Sequence, residues 1–425
     1  MRKMKNSFEQ WLGELPVSWG LSRIASLYKI RNTKVSDKDY MPLSVTMNGI
    51  VPQLETAAKT NAHDDRKLVR KGDFAINSRS DRRGSCGISE YDGSVSLINT
   101  ILAPLGEMNP NYYNWLFHTT QFADEFYKWG HGIVDDLWTT GWQDMKKIMI
   151  PVPPLQEQKK IATFLDAQCT EIDALTADIQ TQIDTLEQYK RSVITETVTK
   201  GLNLDAEMKD SGIDGAGGTP SHWKTTRLCY ECYIRARLGW RGLKADEYVD
   251  EGYAFISAFN IQNGKLVWTP LNYITKERFD ESPEIKLHSG DVLIVKDGAG
   301  VGKCARVDDL PMGGTAPNSS IAVITPSKNL DYRYVCYYLQ SAVFNNFVLL
   351  LYNGMGVPHL TQEVMSKIKI LVPPLKEQMV ISDYLDAKCS EIDAVVETKK
   401  SQLATLDEYK KSLIFEYVTG KKEVV

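Results

Sequence analysis

The sequence predicts an α/β chain with a pseudo-twofold internal repeat: two tandem α/β domains separated by two long helices that pack as an antiparallel coiled coil. Three observations predict it. A 23-residue stretch occurs twice, seven-residue apolar spacing continues from each copy, and short β-type runs lie upstream of both. The expected boundaries are 1–154 for the first domain, 155–200 for the first helix and 201–222 for a linker. The second domain then occupies 223–374 and the second helix 375–420.

The repeat is the firmest of the three. VPPLQEQKKIATFLDAQCTEIDA (152–174) returns as VPPLKEQMVISDYLDAKCSEIDA (372–394), with 15 of 23 positions identical at a constant offset of 220. The same offset carries Leu186, Tyr189, Lys190 and Ser192 onto Leu406, Tyr409, Lys410 and Ser412. Upstream the matches are sparser but in order. Pro16, Trp19 and Arg23 match Pro220, Trp223 and Arg227, and Gly72-Asp73, Gly84 and Cys86 match Gly290-Asp291, Gly302 and Cys304. The chain therefore contains two copies of one unit, a variable globular part followed by a nearly constant segment.

Each constant segment reads as a helix. Leu165, Ile172, Ile179, Leu186 and Val193 recur every seven residues, with Ile161, Leu175 and Tyr189 at a complementary spacing, the pattern of a coiled-coil seam. Leu385, Ile392, Leu406 and Leu413, with Ile381, Val395 and Tyr409, repeat it. Pro153-Pro154 opens the first helix, Glu157 lies in its first turn and Gly201 stops it, giving a rod of roughly 70 Å at about 1.5 Å per residue. Burial of each helix against its own domain is the plainer alternative; a pattern this long, present twice, favours the helices packing on each other. Gln182, Gln402 and Lys399 fall on this seam, either tolerated at a wet interface or fixing register.

The variable parts read as strand-rich. DFAIN and DVLIVK are short strands, each introduced by Gly-Asp and followed by a glycine-rich turn. NYYNWLFHTTQFADEFYKW and DYRYVCYYLQSAVFNNFVLLLY space their aromatics as buried helices do. Five glycines and four acids between 201 and 221 read as a linker.

Composition excludes several classes. With 425 residues and 43% hydrophobic content the chain is ample for two cores and too long for one ordinary domain. The seven cysteines (86, 169, 229, 232, 304, 336, 389) are odd in number and scattered, and no long apolar leader opens the sequence, which fits a reducing cytoplasm. The longest strongly apolar run, 347–352, is too short for a bilayer, so no membrane role is expected. The net charge of −4 argues against a strong global pull toward nucleic acid. Divided by segment it reads differently: each variable part carries +2, while each helix and the linker carry −3.

No catalytic constellation is present. GAGVGKC (298–304) has three residues between Gly298 and Gly302 and a cysteine after Lys303, so it is a turn between strands rather than a phosphate loop. Cys229 and Cys232 have zinc-like spacing without a second ligand pair, and the six histidines form no cluster. No metal site is expected. A standalone enzyme is disfavoured on these grounds.

Arginine placement remains. Arg79, Arg82 and Arg83 lie in a loop just after a strand, the equivalent loop of the second half holds Lys296 and Lys303, and Arg235, Arg237, Arg241 and Lys244 surround Trp240 in the length-variable region. Such clusters are either solvated surface or loops that read base edges and grip phosphates, because guanidinium offers paired donors to both.

The whole arrangement resembles the specificity subunit of type I restriction-modification enzymes. The resemblance rests on the two PPLxEQ openings (Pro153-Pro154-Leu155 with Glu157-Gln158, and Pro373-Pro374-Leu375 with Glu377-Gln378), the duplicated helices, and Gly-Asp before a strand in each half. It implies two target-recognition domains, each reading one half of a bipartite double-stranded DNA sequence, with the helices as spacer. It implies no cofactor in this non-catalytic chain. It further implies two adenine methyltransferase (modification) subunits and restriction/translocase subunits as partners, which use S-adenosylmethionine, ATP and Mg to give an adenine-N6 methyltransferase and ATP-dependent endonuclease. The alternative from another class is a coiled-coil adaptor whose globular halves bind proteins.

Overall fold

The computed structural model describes every residue except 1, 54–62, 133–137, 238–242, 244–246, 299, 312, 352–358 and 425. The chain divides into two compact units. Unit 1 comprises Met1–Gln180 with Ser401–Val425, and unit 2 comprises Thr181–Lys400. Both contain part of each long helix, Leu155–Lys200 and Leu375–Val418.

The units share one frame. In unit 1 a four-stranded antiparallel sheet runs Cys86–Ile88, Phe74–Asn77, Asn99–Pro104, Tyr28–Ile30; in unit 2 the matching order is Cys304–Arg306, Val292–Val295, Ile321–Pro326, Cys232–Arg235. The central strands, Phe74–Asn77 and Val292–Val295, are buried at every position, as continuous apolar runs require. A strand pair closes each unit ahead of its helix, Gly20–Arg23 with Met149–Val152 and Lys224–Arg227 with Lys369–Val372. The copies differ in their three-stranded sheets, which is where the sequence also differs most. The GAGVGKC segment joins two antiparallel strands, as expected.

The duplicated opening motif has a structural job. Trp19 and Trp223, both fully buried, donate their indole N–H to Glu157 (2.8 Å) and Glu377 (3.0 Å) in the first turn of the long helices. The next residue, Gln158 or Gln378, is buried and accepts the backbone N–H of Asn109 (2.9 Å) or Asp331 (2.8 Å), the cap of an aromatic-rich helix. Each also donates to the carbonyl of the first proline of its pair, at 2.8 Å. Glu and Gln thus lock helix to domain, and burying these polar groups is tolerated because each has its partner.

The helices are antiparallel within each unit. In unit 1 Phe164 packs at a tilt against Tyr417, ring centroids 4.5 Å apart, and Lys410 pairs with Asp173 at 2.5 Å; in unit 2 Lys190 pairs with Asp393 at 2.6 Å and Lys399 hydrogen-bonds Gln182. Leu165, Ile172, Ile179, Leu385, Ile392 and Leu413 are buried, with Leu186, Val193 and Leu406 half-buried. Of the complementary line, Ile161 and Ile381 are buried as the spacing predicts, but further along the helices it shifts by one residue. Leu175, Tyr189, Val395 and Tyr409 are 47%, 49%, 42% and 51% exposed, while Cys169, Ile183, Cys389 and Val396 are buried. Gln182 and Gln402 lie on the exposed side with them. A seven-residue repeat fixes one row, but the second row can lie three or four residues further on, and here packing selects four.

Composition suggested a linker at 201–222, yet the chain there forms a hairpin, Met208–Asp210 with Gly218–Pro220. It repeats the N-terminal hairpin Met4–Asn6 with Glu14–Pro16. Among the described residues no helix is long and apolar enough to cross a membrane.

Candidate nucleic-acid interface

The loops after the central strands are mounted on equivalent anchors. In unit 1 Ser78 N–H donates to the Ile98 carbonyl (3.3 Å) and its own carbonyl accepts Thr140 N–H (2.9 Å); in unit 2 Lys296 does the same with Ser320 (2.7 Å) and Leu360 (2.9 Å). In both units the loop is tied to two neighbouring segments by backbone bonds that any side chain permits. The frame is therefore fixed while the side chains on it are free to differ.

In unit 1 this loop turns through a short helical segment, Ser80–Arg82, and is braced by Tyr127, whose hydroxyl donates to the Asn77 (3.1 Å) and Arg82 (3.3 Å) carbonyls. Gly84 takes φ 75°, a left-handed turn that an L side chain resists. The three arginines stand differently. Arg83 pairs with Asp124 at 2.6 Å and lies over the Tyr127 ring at 5.3 Å; Arg79 reaches Asp81 at 3.4 Å. Arg82 is exposed and makes no ion pair among the described residues. An exposed guanidinium beside a braced one can engage a phosphate or a base edge with the least loss of existing bonds.

In unit 2 the matching loop presents Lys303, which is exposed, whereas Lys296 pairs with Asp297. Asp297 is also held by His359 at 2.7 Å. Burial acts to raise the Asp297 carboxyl, but His359 and Lys296 outweigh it and leave it below the ordinary range. Beside this loop sits Phe259, exposed at the apex of a turn, Ala258–Asn260, that the buried Asn260 amide clamps to the Val267 (2.9 Å) and Pro270 (3.0 Å) carbonyls. Sequence reasoning missed Phe259; its signal was a single aromatic in the short stretch Ser257-Ala258-Phe259-Asn260.

The two described members of the second arginine cluster point inward. Arg235 is 9% exposed and pairs with Asp291 at 2.7 Å, while Arg237 turns its side chain inward to Glu281 at 3.5 Å. The Arg235 guanidinium is buried and bonded to Asp291, Thr325 and the Lys286 carbonyl, which makes it a frame residue. Arg241 and Lys244 lie outside the described residues.

Arg235 also explains the Gly-Asp repeat. Asp291, 1% exposed, accepts the Arg235 guanidinium and the His288 N–H (2.8 Å). In unit 1 Asp73 accepts Arg31 through both oxygens (2.6 and 3.0 Å) and the Arg70 N–H (2.9 Å). Each arginine follows or ends the sheet's outer strand, so each pair ties the edge of the sheet to its centre. Gly72 and Gly290 supply the positive φ, 88° and 89°, that aims the aspartate inward.

No group of three or more His, Cys, Asp or Glu side chains converges as a metal site among the described residues, and the seven cysteines are unpaired.

Comparison with known proteins bears on the same frame. Residues 16–185 and 239–405 match the family model described as type I restriction modification DNA specificity domain. The chain is 24% identical to the MjaVIII specificity subunit of Methanocaldococcus jannaschii, a type I restriction enzyme component, over 99% of this chain and 97% of that one. It is 24% identical to the type I restriction enzyme EcoKI specificity subunit of Escherichia coli over 48% and 44% of the two chains. Among solved structures it resembles, in fold, a chain from a study of complex assembly and conformational transition of the type I R-M system, with TM-score 0.71, 17% identity and coverage of 95% and 98%. The HsdS subunit from Thermoanaerobacter tengcongensis gives TM-score 0.50, 19% identity and coverage of 96% and 98%.

Proposed function

Because the chain belongs to the type I restriction-modification DNA specificity family, we propose that each unit reads one half of a bipartite double-stranded DNA sequence and that the paired helices space the two readings. The observation that carries this is the pair of equivalent loops on one frame with unlike side chains, Arg79, Arg82 and Arg83 in unit 1 and Lys303 in unit 2. One frame with two side-chain sets gives two different half-sites.

The partners proposed are two adenine methyltransferase subunits and restriction/translocase subunits. S-adenosylmethionine, ATP and Mg act in those subunits, and this chain contributes recognition rather than catalysis. The helix surfaces suit two copies of one partner. In unit 1 Leu175 and Tyr409 are exposed next to the Asp173–Lys410 ion pair, and in unit 2 Val395 and Tyr189 are exposed next to Asp393–Lys190, so each unit offers an equivalent apolar pair beside the same charges. Both domains are only slightly basic, so the partners supply much of the phosphate grip and the isolated chain binds DNA weakly.

Mapping methylated adenines in the DNA of cells that carry this chain with its modification subunit tests the reading. A single split motif is expected. Methylation without a split motif, or a purified complex with no sequence preference at moderate salt, overturns it in favour of a protein-binding adaptor.

A further inference from the structure

The two matching hairpins differ in their loop residues, and that difference leaves an opening. Strands Met4–Asn6 and Glu14–Pro16 match Met208–Asp210 and Gly218–Pro220 without a gap, so the seven-residue loops SFEQWLG and SGIDGAG align one to one. Their backbones bond alike. Ser7 N–H donates to the Gly13 carbonyl (3.0 Å) as Ser211 does to Gly217 (3.2 Å), Leu12 donates to Glu9 as Ala216 does to Ile213 (both 3.1 Å), and Gly13 and Gly217 share φ 66°. The fifth and sixth loop residues are Trp11 and Leu12 in unit 1 but Gly215 and Ala216 in unit 2.

In unit 1 the Trp11 indole packs edge-on against Phe122, ring centroids 5.9 Å apart. Phe122 stands ten residues after Tyr112, and its counterpart Phe344 stands ten after Tyr334. Around Phe344 no ring contact with an indole is found among the described residues of unit 2. Instead a groove of about 660 Å³ opens, lined by Ile213, Gly215, Phe344, Asn346, Phe347 and Leu350 among others. A Cβ placed on Gly215 would lie 3.7 Å from the Asn346 amide nitrogen, so position 215 faces the opening. Leu349 and Leu350, at its edge, are 60% and 65% exposed. Such a volume with apolar walls is in the range of sites that hold a ligand group. Asp214 also lines it and offers an acceptor for an indole N–H, a partner that Trp11 Nε1 does not find among the described residues.

We propose that this groove receives a tryptophan side chain from a protein subunit that assembles on unit 2, filling from outside the place that Trp11 fills from within unit 1. The proposal rests on the assembly reading above only in requiring a protein partner. Its consequence is asymmetry: the socket lies in unit 2, where Gly215 takes the place of Trp11.

Two measurements test it. The first titrates the full chain with 5-fluoroindole, followed by fluorine NMR. Saturable binding is expected for the parent chain, and Asn346→Trp or Leu350→Glu, both at exposed positions of helix Ala342–Leu351, should weaken it about tenfold or more. No saturable binding, or equal binding by both variants with an unchanged melting temperature, overturns the proposal. The second places a photo-crosslinking phenylalanine at Leu349 in the complex reconstituted with the modification and restriction subunits. A crosslinked partner peptide containing tryptophan supports the proposal; crosslinks only within this chain, or none, overturn it. Methylation of a split DNA motif by the same complex is scored in parallel. Its presence without the crosslink sinks the socket alone, and its absence sinks the recognition reading instead.

Discussion

The hydroxyl of Tyr112 donates to the backbone carbonyl of Val418, 2.7 Å away and 306 positions along the chain. Its counterpart Tyr334 donates to the Val198 carbonyl at 3.2 Å. Each domain is thus closed by the end of the long helix that belongs to the other repeat. Tyr112→Phe leaves a buried carbonyl without this donor and should lower stability by about 1–2 kcal/mol. Denaturant unfolding measures the loss, and hydrogen exchange should place it in unit 1, with unit 2 protection unchanged.

Asp291 should be the costlier position. Asp291→Asn removes the charge opposite the buried Arg235 guanidinium, and breaking one side of a buried pair costs about 3–5 kcal/mol. Thermal unfolding should show unit 2 melting early. A loss no larger than that of a surface substitution would mean that water reaches Arg235.

Arg82 is the sharpest test of DNA contact in unit 1, since its side chain has no ion pair to lose among the described residues. Arg82→Ala should leave the melting temperature within about 2 °C, because surface substitutions away from such features are nearly neutral, while altering or weakening one half of the methylated motif. With Arg79→Ala and Arg83→Ala it should spare the other half. Equal weakening on every sequence, with a shallower salt dependence, would identify the three as phosphate contacts.

Unit 2 should also be acid-sensitive. Burial acts to raise the Asp386 carboxyl, but the Tyr337 hydroxyl (2.7 Å), Arg306 (2.5 Å) and Arg333 (3.0 Å) outweigh it and hold the group below the usual carboxylate range. Its contribution is therefore present above the unfolded-state value, near 3.9, and is lost as pH falls through the lower folded-state value. Asp386→Asn should flatten the acid limb of the stability profile below about pH 4. An unchanged limb would assign the sensitivity to other carboxylates.

The spacer role predicts a change in DNA geometry. Deleting 172–178 together with 392–398 removes one heptad from each helix and shortens each by about 10 Å. At about 3.4 Å per base pair the gap between half-sites should shrink by roughly three base pairs. Adenine-methylation mapping reads this directly, and an unchanged gap in a folded complex would rule out the helices as the ruler.

What the sequence determined by itself was whatever is local or repeated. The offset of 220, the strands around Phe74–Asn77 and Val292–Val295, and the helices from Leu155 and Leu375 were legible because identity and periodicity are visible one segment at a time. So was the loop bearing Arg79, Arg82 and Arg83, from its glycines and its place after a strand. Only tertiary structure decided which charges face inward. Arg235 reads as a surface base until Asp291, 56 positions away, is set against it, and Gly-Asp reads only as the lead-in to a strand until its aspartate is seen to hold an arginine. The helix seam shows the same division: the seven-residue spacing fixes Leu165, Ile172 and Ile179, but whether Leu175 or Ile183 joins them depends on a second helix more than 200 residues away. Burial and ion pairing are free energies of the assembled neighbourhood, and pattern along the chain carries them only where the neighbours are local.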